Sequence, residues 1–245
     1  MVLSSCTSMN VIPTPTTPYF TGENNIEVEL GCTTNSIYEN FAYALSNNFA
    51  FMQSSFFTYN YLSHRKYDSY KQPFGLGPTP LFERNYTYKE LYSDIGIGLY
   101  KTQNNLFFLL MGGYGIGYSD YQYKYSRDGG REYTSNGVMQ RIFIQYNTSY
   151  THNKFNFGGA LQFAYANLPL HSVVHNNFVD STIVDRTMHY NYYEIKPFLY
   201  FEYIEKKICC VTKIGCNISN VLFSPKIDQQ CTLFHCSVGI KLRLR

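Results

Sequence analysis

The sequence has no tryptophan, few charged residues and no long apolar run, and each absence narrows the class of protein. Charged residues make up 15% of the chain, and the formal net charge is only +3. Because the Lys and Arg residues are also scattered rather than clustered, we expect no nucleic-acid partner. The chain has no run of roughly 18 or more apolar residues, so the sequence predicts no transmembrane helix. That test does not detect membrane-spanning β-strands, in which only every second residue needs to be apolar.

The cysteines do not form a metal-binding pattern. None of their spacings resembles that of a zinc site, so we expect no metal. The glycine-rich motif Gly112-Gly-Tyr-Gly-Ile-Gly117 resembles a dinucleotide-binding fingerprint only superficially, since no βαβ unit surrounds it. We therefore expect no cofactor. The count of cysteines is odd, which sets at least one of them apart, and Cys6 is the candidate; the full set is Cys6, Cys32, Cys209, Cys210, Cys216, Cys231 and Cys236.

Aromatic residues, in contrast, are abundant. The chain has 25 Tyr and 19 Phe, and aromatics reach 18% of its residues. A tyrosine ring suits a membrane–water boundary, where the ring lies in the interface and the hydroxyl contacts water. Tyrosine also favours strands in soluble β-proteins, so the composition alone does not decide between the two classes.

The region 91–118 has the pattern of an antiparallel hairpin, and its two faces decide how the rest is interpreted. Large apolar residues alternate with glycine or acidic residues on both sides of an Asn-rich turn, which is the period of a β-strand. A small, polar face opposite an aromatic and aliphatic face is typical of a transmembrane β-barrel with a polar interior. The apolar face holds Ile95, Ile97, Leu99, Leu110, Tyr114, Ile116 and Tyr118, and the other face holds Asp94, Gly96, Gly98, Gly113, Gly115 and Gly117.

The same alternation recurs along the chain and predicts about ten strands, with eight as the fallback. The connections alternate between short and long after the first one, and long connections are expected at 62–85, 124–137, 167–186 and 219–230. Short periplasmic turns and long external loops give that rhythm, so the sequence predicts an all-β fold: a single antiparallel up-and-down transmembrane β-barrel. An even number of strands places both termini on the periplasmic side. Pro197 cannot donate to a ladder, and we expect a β-bulge there. The facing of the segment 49–61 is not assigned.

Charged residues of both signs fall on the inward face of this barrel. Isolated buried charges are too costly, so we expect an ion-paired lumen rather than an open pore; a selective path for protons or small ions is the alternative. The predicted network consists of Glu27, Glu29, Asp94, Arg141, Glu194, Lys196, Glu202, Lys213, Lys241 and Arg243.

The N-terminal region differs from the barrel in composition. Leu3-Ser-Ser-Cys6 resembles a bacterial lipobox, which predicts lipidation of Cys6, although the basic and apolar regions of a signal peptide do not precede it. The residues that follow are rich in Thr and Pro. We therefore divide the chain into residues 1–23, a lipobox remnant and flexible tether, and residues 24–245, the barrel domain. Asp180-Ser-Thr182 is similar to a bacterial O-glycosylation acceptor, which makes Ser181 a candidate site.

The chain resembles the small bacterial outer-membrane β-barrel proteins of OmpA/OmpX-like architecture, and most of all barrel lipoproteins of Bacteroidota. The resemblance rests on the lipobox, on Val11-Ile-Pro followed by Gly22-Glu-Asn-Asn-Ile-Glu-Val, on the hairpin at 43–51, and on Asp94-Ile-Gly-Ile-Gly-Leu-Tyr100. The last strand also resembles the signal read by the barrel-assembly machinery, but it lacks a terminal aromatic residue. The resemblance implies a location in the outer membrane and implies no activity.

Two functions remain open at this point. The first is an outer-membrane barrel with a structural or surface-interaction role, in contact with membrane lipid, and reaching lipopolysaccharide or a surface partner through its basic and aromatic loop 62–85. The second is a soluble lipocalin-like barrel that binds a small ligand, in which Ile95, Ile97, Ile142, Ile144, Val238 and Ile240 would line the cavity. We expect no enzyme, because the candidates for a rim hydrolase would all lie on one mobile loop: His171, Ser172, His175, Asp180 and Asp185.

Overall fold

The computed structural model describes residues 15–33, 36–67, 80–126, 131–176, 183–219 and 234–244. The chain forms one closed antiparallel β-barrel in which each strand pairs with its neighbours in sequence, and β1 closes the sheet against β11. Because β10 continues β9 after Asn217 and pairs with the same strand β8, the barrel has ten strands, as predicted. The strands are β1 (Ile26–Cys32), β2 (Ser36–Ala44), β3 (Phe49–Tyr67), β4 (Pro80–Gln103), β5 (Leu106–Ser126), β6 (Arg131–His152), β7 (Phe155–Asn176), β8 (Ile183–Glu205), β9 (Ile208–Cys216), β10 (Ile218–Ser219) and β11 (Phe234–Leu244).

The turns at one end of the barrel, which we call the short-turn end, are two to four residues long. They lie at 45–48, 104–105, 153–154 and 206–207. Asn104 and Asn153 adopt positive φ angles of 55° and 52°. Asparagine tolerates this left-handed conformation better than most residues, which explains why Asn-containing turns close the hairpins here. β1 begins and β11 ends at this end, since Ile26 pairs with Leu244.

The outer wall carries an apolar belt. On β5 the outward residues from Leu106 to Tyr118 include large exposed side chains such as Leu110 and Ile116. This stretch is about 40 Å long along the strand and about 30 Å high if the strand is tilted by roughly 40°. That height matches the hydrocarbon thickness of a bilayer, about 30 Å. On β4, exposed Lys101 lies at the limit of the belt toward the short-turn end, and exposed Lys89 lies at its opposite limit.

Aromatic pairs lie at both margins of the belt. The ring centres of Phe157 and Phe201 are 5.1 Å apart near the short-turn end. Those of Tyr165 and Tyr193 are 5.2 Å apart toward the opposite end, which we call the far end. Between them on β7 and β8 lie apolar residues, with Leu199 72% exposed. An apolar band between two aromatic girdles is the outer surface expected of a transmembrane barrel.

Three of the four long connections predicted at the far end, 62–85, 124–137 and 167–186, are shorter than expected, because the strands continue into them. β3 runs to Tyr67 and β4 starts at Pro80; the connection between β5 and β6 covers only 127–130, and that between β7 and β8 only 177–182. The 24 residues of β4 measure about 80 Å at the usual rise per residue, whereas about 9–11 residues span a membrane. The bounds of these three connections are therefore corrected: β3 to β8 form tall hairpins that extend the wall beyond the belt. The fourth long connection, between Ser219 and Phe234, is as long as predicted.

The register tests the β-bulge that the sequence predicts at Pro197. The bulge expected at Pro197 is wrong: Leu161 pairs with Pro197 in unbroken register with β7. On the other side of β8 the ladder is interrupted there, since pairing passes from Phe198 with Gly215 to Ile195 with Ile218. The missing donor of proline is thus accommodated by a gap in this ladder, where Pro197 and Lys196 lie opposite Cys216 and Asn217. No helix in the described residues is long and apolar enough to cross a membrane.

Candidate functional site: the barrel lumen

The predicted network of ten charged residues lies inside the barrel, in two groups. The far cluster consists of Asp94, Arg141, Glu194 and Lys196, and lies toward the far end. The Arg141 guanidinium donates from Nη2 to Asp94 Oδ2, from Nε to Asp94 Oδ1 at 3.2 Å and from Nη1 to Glu194 Oε2 at 3.2 Å. Lys196 Nζ lies 3.3 Å from Glu194 Oε2. Two carboxylates and two cations give this group no formal net charge.

Aromatic rings enclose the far cluster. The Tyr92 hydroxyl donates to Asp94 Oδ1 at 2.6 Å, and the Arg141 Cζ lies 5.0 Å from the centre of the Tyr92 ring and 5.5 Å from that of Phe143. Gly115 makes room for this arrangement, because a Cβ atom at that position would overlap both the Tyr92 hydroxyl and the Asp94 carboxylate. The other inward glycines of β4 and β5 likewise leave room for bulky neighbours, such as Phe143 at Gly113 and Met111 at Gly96.

The near cluster lies closer to the short-turn end and consists of Glu27, Glu29, Glu202, Lys213, Lys241 and Arg243. Lys213 Nζ is 2.7 Å from Glu29 Oε1, and Arg243 Nε is 2.7 Å from Glu27 Oε1. Lys241 Nζ donates to Glu202 Oε1, and Arg243 Nη2 donates to Glu202 Oε2 at 2.6 Å. Three carboxylates and three cations again sum to no formal charge, which is what burial of so many ions requires.

Residues 15–20 run through the lumen beside the near cluster. Their backbone carbonyls accept hydrogen bonds from the barrel wall: Pro15 O from Lys213 Nζ at 3.2 Å, Thr16 O from the amides of Gln145 and Asn147 at 2.8 Å each, and Thr17 O from Lys241 Nζ at 2.6 Å. In the other direction, the Tyr19 amide donates to Glu27 Oε2 at 3.1 Å. The segment is thus held mainly through its main chain.

The aromatic end of this segment closes the lumen near the short turns. Phe20 is fully buried among residues of β2 to β5, and its ring lies 5.2 Å from that of Tyr100 and 6.2 Å from that of Phe107. Thr102 Oγ1 donates to Phe20 O at 2.5 Å. The Tyr19 ring stacks under the Arg243 guanidinium at 5.4 Å. The expectation of a flexible tether is therefore corrected for residues 15–20, which are packed inside the barrel.

The lumen that remains is nearly filled. A gap lined by Pro15, Thr16, Asp94 and Gln162, among others, has a volume of only about 10 Å³. A single water molecule needs about that much space. The described part of the interior thus contains ion pairs, packed rings and its own chain, and this gap between them is too small for a solute.

The sequence reasoning missed two inward features. Residues 15–20 gave no signal as a luminal element, because a Thr- and Pro-rich composition is equally typical of a linker. The second feature is Glu90, whose side chain is buried on the inner face of β4. It could have been predicted, since it shares the parity of Tyr92 and Asp94 along β4.

Other predicted sites lie elsewhere or outside the described residues. Cys6, Asp180 and Ser181 are outside them. His171, Ser172 and His175 lie on β7 and Asp185 on β8, where His171 pairs with Thr187 and Val173 with Asp185, so the expectation of one mobile loop is wrong for these four residues. In the part of the chain that the structure describes, no three His, Cys, Asp or Glu side chains come together in a group that could hold a metal ion.

The orientation of the wall contradicts the lipocalin-like alternative. The six side chains that would have lined an apolar cavity are instead on the outside, with exposures of 52–62%: Ile95, Ile97, Ile142, Ile144, Val238 and Ile240. Charged residues occupy the interior that this alternative required to be apolar.

The chain is similar in architecture to solved structures of bacterial outer-membrane proteins. The outer-membrane protease OmpT of Escherichia coli matches with a TM-score of 0.60 at 12% identity, over 93% of this chain and 99% of that one. The translocator domain of the autotransporter NalP of Neisseria meningitidis matches with a TM-score of 0.52 at 9% identity, over 90% and 87%. The fold is that of a bacterial outer-membrane β-barrel. Identities this low show the fold alone. No protein-family model matches the chain, and no curated protein does.

Proposed function

We propose that this protein spans a bacterial outer membrane as a closed barrel and has a structural or surface-interaction role rather than that of a porin or an enzyme. The proposal rests on one combination of features: the outer wall carries an apolar belt, and two neutral ion clusters and residues 15–20 fill the lumen. A belt about 30 Å high suits lipid. In the described residues, the gap left in the lumen holds no more than about one water molecule, which does not suit diffusion of solutes.

The orientation follows from the two ends of the barrel. Outer-membrane barrels have short turns on the periplasmic side and longer connections outside. The short-turn end would then be periplasmic, together with the start of β1 and the end of β11. The tall wall formed by β3 to β8 would stand outside the cell.

This wall is the surface we propose for external contacts. Arg65 and Lys66 lie on β3, and Phe82 lies opposite on β4, where it pairs with Lys66. The basic and aromatic composition of these strands suits recognition of the phosphate groups of lipopolysaccharide or of a surface partner. Lipidation of Cys6 and O-glycosylation of Ser181 complete the proposal as modifications expected from the sequence.

The experiment that tests the proposal measures insertion and conductance. Folded protein should require detergent for extraction, should migrate differently on a gel before and after heating, and should give no stable single-channel current in a planar bilayer. Extraction by carbonate alone, or a large steady conductance, would contradict the proposal.

Two truncations test the role of residues 15–20. Removal of residues 1–20 should raise the ion permeability of the barrel, because it deletes the segment that fills the lumen beside the near cluster. Removal of residues 1–14 is the matched control and should leave the barrel closed. If the shorter variant does not fold, Gln145→Ala combined with Asn147→Ala removes the two donors to Thr16 O and should increase permeability less strongly. Equal permeability of all folded variants would show that residues 15–20 do not seal the lumen.

A further inference from the structure

The apolar belt is interrupted by a polar patch on β2, β3 and β4. Its residues are Glu39, Gln53, Ser55 and Ser93, and all four lie on the outward face of their strands. Gln53 Nε2 donates to Ser55 Oγ at 2.5 Å, and Ser55 Oγ donates to Ser93 Oγ at 3.0 Å. Glu39 pairs with Ser55 across the β2–β3 ladder and is exposed. These four residues form the belt patch.

The patch lies within the belt and not at its margin. Gln53 is midway between Phe49 and Phe57, which are both exposed on the same face of β3. Ser93 is likewise flanked on β4 by exposed Leu91 and Ile95. Polar groups at this depth face acyl chains that offer them no hydrogen bond, an arrangement that is costly for an isolated barrel.

The patch has unused donors and acceptors that complement each other. The second N–H of the Gln53 amide and the Ser93 hydroxyl proton can donate outward, while the Glu39 carboxylate and the Gln53 carbonyl can accept. A surface with both kinds of group can pair with a copy of itself. Two barrels inserted in the same direction are related by a two-fold axis along the membrane normal, and such an axis keeps every residue at its own depth. The belt patch of one copy therefore faces the belt patch of the other at the same depth in the bilayer.

We propose that the belt patch is the centre of a two-fold interface through which two copies of this chain associate within the membrane. The proposal rests on the membrane insertion proposed above. Hydrogen bonds between Gln53, Ser93 and Glu39 of one copy and the same residues of the other replace the contact with lipid. Headgroups are excluded as the occupant, because they do not reach the middle of the belt.

The test compares association of the full-length barrel with that of two variants. Fluorescence energy transfer between labelled copies in phosphatidylcholine vesicles, and sedimentation equilibrium in density-matched detergent, report the dimer. The double variant Gln53→Leu with Ser93→Ala should weaken dimerisation about five- to tenfold, since each polar group is removed twice in a two-fold interface and such bonds are individually modest. The matched control is Gln140→Leu, an outward exposed glutamine on β6, which should leave association unchanged.

The unfolding free energy of the double variant shows whether the belt patch serves association or the stability of the single barrel. Leucine and alanine suit the lipid face, so at dilutions where both proteins are monomeric the double variant should unfold no more easily than the unmodified barrel. A monomeric unmodified protein, equal weakening by Gln140→Leu, or recruitment of a different membrane protein through the patch would overturn the proposal. If heat-modifiable migration is lost in every variant and in the unmodified chain, membrane insertion itself is wrong, and both proposals fail.

Discussion

Arg141→Met tests whether the lumen is a packed, dry interior or a channel filled with water. Arg141 is only 1% exposed, and it holds the far cluster together through its bonds to Asp94 and Glu194. Methionine is similar in length and apolar. The substitution leaves two buried carboxylates, with Lys196 as the remaining cation of the far cluster.

The loss of unfolding free energy caused by Arg141→Met depends on whether water fills the lumen. Removing one partner of a buried ion pair costs about 3–5 kcal/mol, because the other charge remains without compensation. The cation–π contacts with Tyr92 and Phe143, at 5.0 and 5.5 Å, add about 0.5–2 kcal/mol. If water filled the lumen, the same ion pair would be worth only about 0–1 kcal/mol. The two descriptions of the interior therefore predict clearly different losses.

Unfolding by urea in phospholipid vesicles measures the loss, with the folded fraction determined from heat-modifiable migration on gels. Lys154→Met is the control: it removes a solvent-exposed ion pair with Glu205, 2.5 Å long, and should change the unfolding free energy little. Combining Arg141→Met with Asp94→Asn should restore part of the loss, because one unpaired carboxylate is neutralised. A loss below about 1 kcal/mol for Arg141→Met would refute the sealed lumen.

Two further substitutions test the outer belt and the inner glycine row. Ile97→Arg places a charge in the belt at a position that is 62% exposed, and should cost about 2–4 kcal/mol in vesicles; Ile97→Ala is the control, and an arginine tolerated without loss would contradict contact with lipid. Gly115→Ala should cost about 1–3 kcal/mol, because its Cβ would displace the Tyr92 hydroxyl and the Asp94 carboxylate. Gly112→Ala on the outward face of the same strand meets only Phe143 O at 3.7 Å and should be neutral; equal effects at the two glycines would contradict the packing described for the far cluster.

The facing of most strands could be predicted because the two faces of the belt differ strongly in chemistry. On β6, Arg141 alternates with exposed Ile142 and Ile144, and the alternation alone determines which side is inside. The alternation does not identify the inner face of β3, because its outward residues include polar Gln53 and Ser55 and its inward residues include apolar Met52 and Phe56. Because of the polar belt patch, the alternation in segment 49–61 does not determine which face is inside.

The length of the strands beyond the belt could not be predicted, for a different reason. Beyond the belt the outer face no longer has to be apolar, so apolar alternation ends although pairing continues. Between β4 and β5 the ladder extends from Gln103 with Leu106 to Glu83 with Ser126. Main-chain hydrogen bonds maintain this pairing, and they leave no periodic trace in side-chain hydropathy.

The luminal segment was missed because the barrel recognises its main chain. Lys213, Lys241, Gln145 and Asn147 supply donors, and carbonyl oxygens are the groups that accept from them. Proline suits such a site because it has a carbonyl but no N–H, so Pro15 and Pro18 bring acceptors into the lumen without adding donors that need partners. The same property makes proline common in linkers, where the backbone is solvated. Composition alone therefore does not distinguish a solvated tether from a segment that fills the lumen. The hydrogen-bond donors on the barrel wall make that distinction.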